Sequence, residues 1–296
     1  MREVQCNLCG ADDYVVRFPK DPVRGIHQRI VVCRQCGLMY ANPQEIIDCE
    51  TFTKENESDE LDIEGSDRQY FQKQHIQIRD YERILGVLSQ LAPKRGRLLE
   101  IGSYLGILLD RLRSDGWTTT GLEPSHKVAK YSRKRYGHDI VEGLLPHPSL
   151  PAGAYDAVLL LHVVEHMPDP SASVADIRRL MKPGGVFVLE TPRFDSLSFK
   201  LLGRRERSLN NCPGHIFFFT VPSLSKLLQK NGFEVVRVDL VGRTLTVDRL
   251  LYNIGLISQS KAIRDWLWRL GTRLKLDRFQ IHLNARDMQR IYCRAI

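Results

Sequence analysis

Glu100, Gly102 and Gly106, spaced Glu-x-Gly-x-x-x-Gly, close the apolar run Arg97 to Ile101, and Glu123 closes a second run, Thr118 to Leu122, about 20 residues further on. The glycines permit backbone angles that side chains forbid and let a ligand approach the main chain, and Glu100 adds an acceptor at the end of a strand. A carboxylate at the position of Glu123 meets ribose hydroxyls in a mononucleotide-binding strand-helix-strand unit, so two strand ends point at one adenosine. A pyrophosphate-binding turn would read Gly-x-Gly-x-x-Gly, whereas residues 102 to 107 read Gly-Ser-Tyr-Leu-Gly-Ile, which fits a cofactor without phosphate.

A second set is made of cysteines. Cys6, Cys9, Cys33 and Cys36 form two Cys-x-x-Cys pairs separated by 23 residues, each followed by glycine, Gly10 and Gly37. The set fits a zinc ion held tetrahedrally by four thiolates without an open coordination position, a structural role for a segment too short to build its own core. Buried thiols or disulfides are the alternative, and disulfides would require an oxidising compartment. Cys49, Cys212 and Cys293 lack such spacing and are expected to pack or lie on the surface.

These residues need a frame. The core alternates strand 97–101, helix 106–116, strand 118–122, helix 125–136, strand 139–142, strand 156–161, helix 171–181 and strand 185–190. That rhythm predicts a doubly wound, mostly parallel sheet with its ligand beyond the carboxyl ends of the strands. Before it, a helix from Tyr70 to Leu91 carries Tyr81, Ile84, Leu85 and Leu88 on one stripe; after it come a helix at Ser223 to Asn231, a strand at Phe233 to Leu240 and a last strand at Met288 to Arg294. The expected divisions are a zinc ribbon at 1–43, an acidic linker or flap at 44–69, the core at 70–240, and a basic C-terminal segment with the last strand at 241–296.

The string from 97 to 106, with Tyr155 to His166, Met167 to Pro170 and Met181 to Pro192, resembles the class I S-adenosylmethionine-dependent methyltransferases over roughly residues 80 to 240. The resemblance implies a Rossmann-like seven-stranded sheet and S-adenosylmethionine as cofactor. Glu100, Gly102, Ser103 and Gly106 would hold it from the first turn, Glu123 and Pro124 from the second, and Gly143 and Leu144 from the third. His162 would be a wall of the methionine pocket. No Asn-Pro-Pro-Tyr-like sequence ends strand 156–161, which counts against the nitrogen-methylating branch that uses it.

Methyl transfer from a sulfonium asks for an in-line acceptor, exclusion of water and often one base. His215, in Cys-Pro-Gly-His-Ile-Phe-Phe-Phe-Thr, is placed where many small-molecule and sugar methyltransferases keep a histidine near the acceptor; His166, in His-x-x-Glu-His, is the second candidate. In sugar C-methyltransferases with a zinc unit a glutamate commonly precedes the first of these histidines, and here that position is Gly214. The expected reaction is methylation of oxygen or carbon on a small molecule, a sugar or glycan precursor. A ribosomal RNA methyltransferase and an inert zinc-ribbon adaptor that binds the cofactor are the alternatives.

Charge bears on partners. The net charge is +8, yet residues 44–67 hold ten acidic side chains against Lys54 alone, and 241–296 hold eleven Lys or Arg against four Asp. The acidic run beside the ribbon argues against a nucleic-acid path. Arg204, Arg205 and Arg207 suit a phosphate or carboxylate on the acceptor. Arg17, Lys20, Arg24, His27 and Arg29, with Tyr14 and Phe18, offer a basic, aromatic face on the ribbon. Between 259 and 276 the stripe Ile263, Trp266, Leu267, Leu270 and Leu274, flanked by Arg264, Arg269, Arg273 and Lys275, would pack on its own domain or touch a membrane peripherally. Without a secretory or membrane-spanning stretch, the expected location is the cytoplasm.

Overall fold

The computed structural model describes residues 2–22, 26–44, 74–206, 209, 214–258 and 260–296. They fall into two compact units, one of Met1–Gln44, Pro192–Ser223 and Asp239–Gln289, the other of Glu45–Thr191, Leu224–Val238 and Arg290–Ile296. The acidic run from Glu45 onward, Cys49, Tyr70, Arg24, Arg207 and Cys212 lie outside the described residues.

The second unit is built on the alternating core. Strands β4 (Arg97–Ile101), β5 (Thr118–Glu123), β6 (Asp139–Glu142), β7 (Tyr155–Leu161) and β8 (Met181–Pro192) join β10 (Phe233–Thr246) and β11 (Gln280–Ala295) in the order β10-β11-β8-β7-β4-β5-β6. β4 pairs in parallel with both β5 and β7, so the order reverses at β4 and opens a crevice at its carboxyl end. Parallel strands covered on both faces read as continuous apolar runs, and Leu98, Leu99, Val158, Leu159, Val186 and Val188 are all inaccessible to solvent. Helix α1 (Gln74–Leu91) lays Ile84, Leu85 and Leu88 against Leu98, Leu159, Val188 and Tyr292, the stripe expected from its periodicity.

Helix boundaries follow local chemistry. α2 (Ile107–Ser114) starts after Gly106 in the left-handed region at φ 78°. In α3 (His126–Tyr136) the Ser125 hydroxyl accepts the Val128 amide at 3.4 Å, and left-handed Gly137 ends the helix. α4 (Pro170–Leu180) opens with proline in its first turn, and Asp169 accepts the Ala172 amide at 2.9 Å.

The first unit holds an antiparallel four-stranded sheet: β1 (Tyr14–Phe18), β2 (Ile30–Cys33), β3 (Met39–Ala41) and the two-residue β9 (Phe217–Phe218). Ile30 and Met39 share a core with Phe194, Phe218 and Phe199, the last on α5 (Leu197–Leu202). The ribbon thus draws a strand and core side chains from far downstream in the chain. After α6 (Val221–Lys230) and β10 come α7 (Val247–Ile257) and α8 (Lys261–Arg273).

Two elements depart from expectation. β10 runs on past Leu240, and β11 begins at Gln280 rather than Met288. At Gly242 a Cβ would sit 2.1 Å from the Leu283 carbonyl oxygen, so the glycine that interrupts the alternating pattern is what lets the strands continue together. The stripe expected for α8 packs only in part: Leu267 is buried and Leu270 half-buried, but Ile263, Trp266 and Leu274 are exposed. A Cβ on Gly271 would lie 3.1 Å from Asp248 and one on Gly255 2.6 Å from Arg264, so α7 approaches along the side that Gly271 keeps small.

Candidate functional site

The β4–α2 turn is held by a carboxylate from the next strand. Glu123 accepts the Tyr104 amide at 2.9 Å through one oxygen and the Ser125 amide at 3.1 Å through the other, tying the turn after β4 to the turn after β5. Tyr104 sits at φ 47°, a conformation costly without glycine, and that hydrogen bond helps hold it there. Gly102 at φ 74° could bear no side chain, since a Cβ would come within 2.5 Å of Val163. Gly106 is fixed by packing, its Cβ position lying 2.4 Å from the Ser132 hydroxyl.

Beside this turn lie buried polar atoms without a protein partner, Glu100 Oε2 and Ser103 Oγ among them. Burial, and then the neighbouring Glu123 carboxylate, push the Glu100 carboxyl well above its ordinary range. Burial also raises Glu123, against the two amides that favour its ionised form. Orphaned polar atoms beside an open backbone turn are what a polar nucleoside-like ligand would satisfy. Pro124, Gly143 and Leu144 are half-buried at the ends of β5 and β6, with Gly143 at φ 141°.

His162 ends β7 in the left-handed region at φ 59°. Its amide donates to the Glu190 carbonyl at 2.8 Å, and its Nε2 stands 3.2 Å from Glu190 Oε1. The other oxygen of Glu190 accepts from Arg290 Nε. Burial would raise the Glu190 carboxyl, but the His162 hydrogen bond and the Arg290 charge outweigh it and hold it at about 2. Buried Glu165 accepts the Thr191 hydroxyl at 2.9 Å. His162 is a site candidate in the sequence, whereas Glu190, Arg290, Glu165 and Thr191 are not marked there; the signal available was a charged residue inside each of two strands.

The four cysteines converge. The Cys6 and Cys36 sulfurs lie 3.4 Å apart, those of Cys9 and Cys33 3.5 Å, and all four are within 4.8 Å of one another. Tetrahedral zinc with Zn–S of ~2.3 Å sets S···S near ~3.8 Å, so these residues could hold one ion. The Gly10 and Gly37 amides close the two turns on the Cys6 and Cys33 carbonyls at 2.7 and 3.0 Å. Cys293 is buried in β11. On the ribbon face Arg29 is committed locally, donating to Glu3 and to the Asn42 carbonyl.

His166 ends the short 3-10 helix Val164–His166 and is exposed; His215 is half-buried, two residues before β9. Arg204 and Arg205 lie in the 3-10 turn Gly203–Arg205.

The model of a methyltransferase domain matches residues 72–238, more than half of the chain. The chain belongs to the class I S-adenosylmethionine-dependent methyltransferases. This methyltransferase is 32% identical over 139 residues to a "Probable S-adenosylmethionine-dependent methyltransferase" of Mycolicibacterium smegmatis, covering 47% of this chain and 52% of that one. It is 33% identical over 128 residues to a ubiquinone biosynthesis O-methyltransferase of Paracidovorax citrulli, covering 40% and 52%. The chain thus spans about half the length of these curated relatives. A solved Thermotoga maritima structure, described as a "SAM-dependent methyltransferase, possible histamine N-methyltransferase", shares the fold with a TM-score of 0.52 at 18% identity, covering 79% of this methyltransferase and 96% of that chain.

The raised Glu100 carboxyl has a definite sign in stability. A raised folded-state value leaves the contribution of Glu100 intact below about pH 4.5 and removes it as pH climbs toward that value. Glu100→Gln should therefore melt at least about 2 °C higher than the wild type at neutral pH without cofactor, with the gap closing by about pH 5. Melting curves by circular dichroism check this, and a lower melting temperature at both pH values would contradict it.

Proposed function

We propose that this methyltransferase carries a methyl group from S-adenosylmethionine to a hydroxyl oxygen of a small molecule. The observation that carries the reading is the double tie of Glu123 to the turns after β4 and β5, which leaves a lone pair on each carboxylate oxygen for a ribose hydroxyl. S-adenosylmethionine, when bound, supplies a methyl group on a positive sulfonium. Glu123 would orient the ribose, Ser103 and Glu100 would meet the remaining polar groups, and the wall at His162 is held in place by Glu190. A histidine of this chain would take the proton of the acceptor hydroxyl.

The O-methyltransferase relatives support oxygen as the acceptor atom. A sugar or glycan-precursor hydroxyl and a phenolic hydroxyl both belong to this class, and a panel of such acceptors with isotopically labelled cofactor separates them. Glu123→Ala should weaken cofactor binding at least tenfold, the loss of charge-assisted bonds worth about 1.5–3 kcal/mol. Isothermal titration calorimetry decides, and unchanged affinity would remove Glu123 from the site.

His215 is the proposed base, with His166 as its competitor. His215→Ala should lower kcat by about 10² to 10⁴ in steady-state assays while leaving cofactor affinity nearly intact. If His166→Ala abolishes turnover and His215→Ala does not, the assignment moves to His166.

The cysteine cluster is proposed as a structural zinc site. Elemental analysis should find one zinc per chain, lost in Cys33→Ser together with protease resistance of β1–β3. A metal-free wild type with a resistant N-terminal segment would contradict this.

A further inference from the structure

The protein has three tryptophans, and their placement divides sharply. Trp117 is 3% exposed in the core, whereas Trp266 and Trp268 on α8 are 61% and 45% exposed. Large aromatic side chains are ordinarily covered, so two on one helix call for a partner. Trp268 meets the Tyr252 ring of α7 edge-on at 5.7 Å, but Trp266 points away from the Leu267–Gly271 side that packs. At 100° per residue, Trp266 shares its outward side with Arg269 and Arg273, and Ile263 lies on the flank. Leu274 and Phe279, on either side of the short turn Leu276–Arg278, are 55% and 61% exposed, and Ile281 and Leu283 continue from Phe279 with the two-residue period of β11.

Charge selects the partner. Residues 261–278 hold six basic side chains, Lys261, Arg264, Arg269, Arg273, Lys275 and Arg278, against Asp265 and Asp277. A two-fold contact with a second copy would set this positive face against itself. A nucleic acid would use the arginines and tryptophans, but would leave Ile263, Leu274, Ile281 and Leu283 without a role. Aliphatic side chains that enter the acyl boundary, tryptophans at the headgroup level and cations for anionic headgroups together match a bilayer surface. No helix among the described residues is long and apolar enough to cross a membrane, so the contact is with the surface.

We propose that the arm formed by α7, α8 and the start of β11 docks on the surface of an anionic lipid bilayer, with Trp266 as its anchor. The inference does not rest on the identity of the methyl acceptor. It places the enzyme at a surface where amphiphilic acceptors concentrate.

Flotation of the full chain with vesicles tests it. The wild type should float with vesicles of phosphatidylcholine containing about 30 mol% phosphatidylglycerol, far less with phosphatidylcholine alone, and its tryptophan emission should shift to the blue. Trp266→Ser, and separately the pair Arg269→Glu and Arg273→Glu, should each lower partitioning at least tenfold with unchanged melting curves. Absence of flotation with anionic vesicles, or equal flotation of the variants, would overturn the proposal. So would a wild-type dimer in sedimentation that Trp266→Ser dissolves without any lipid binding. Cofactor affinity, measured by calorimetry without vesicles, should be unaltered in all these variants, which separates failure here from failure of the methyltransferase site.

Discussion

One carboxylate joins the two turns on which the proposed cofactor site depends. Glu123 ends β5, and by accepting the amides of Tyr104 and Ser125 it couples the turn after β4 to the start of α3. The turn after β4 carries its cost at Tyr104, at φ 47°, whereas Gly102 and Gly106 take positive φ freely. A buried acceptor that satisfies one of its amides offsets part of that cost. The strand order makes this location useful, because β4 is where that order reverses.

A second buried carboxylate works by the opposite electrostatics. Glu100 lacks a hydrogen-bond partner for one oxygen and is pushed toward its protonated form, whereas Glu190 is held ionised at about 2 by His162 and Arg290. The pair from Glu190 to Arg290 joins neighbouring strands β8 and β11, and the same carboxylate positions the ring of His162 at the end of β7. Glu100 keeps an unsatisfied oxygen, whereas both oxygens of Glu190 are committed within the protein. That contrast follows from whether a cation lies within reach.

Much of this was legible in the sequence because it rests on local signals. Alternating strands and helices, the glycine spacing at 102 and 106, and the acidic residue ending β5 depend on neighbours within about 20 residues. The cysteine pairs were equally plain, and their sulfurs do converge. What stayed hidden depends on distant partners. Nothing around Phe217 and Phe218 marks two residues as the fourth strand beside Met39 and Tyr40. Arg290 reads as a surface charge until β11 is set beside β8, and the α8 stripe reads as a packed face until Gly271 shows which side α7 takes.

The most direct measurement is a crystal structure with S-adenosylhomocysteine, the demethylated form of the cofactor. Its ribose hydroxyls are expected within about 3 Å of the Glu123 carboxylate, with the amino-acid portion over the turn from Gly102 to Gly106 and toward His162. Binding elsewhere on the molecule, or an unfilled turn at saturating ligand, would contradict the assignment of this crevice as the methyl-donor site.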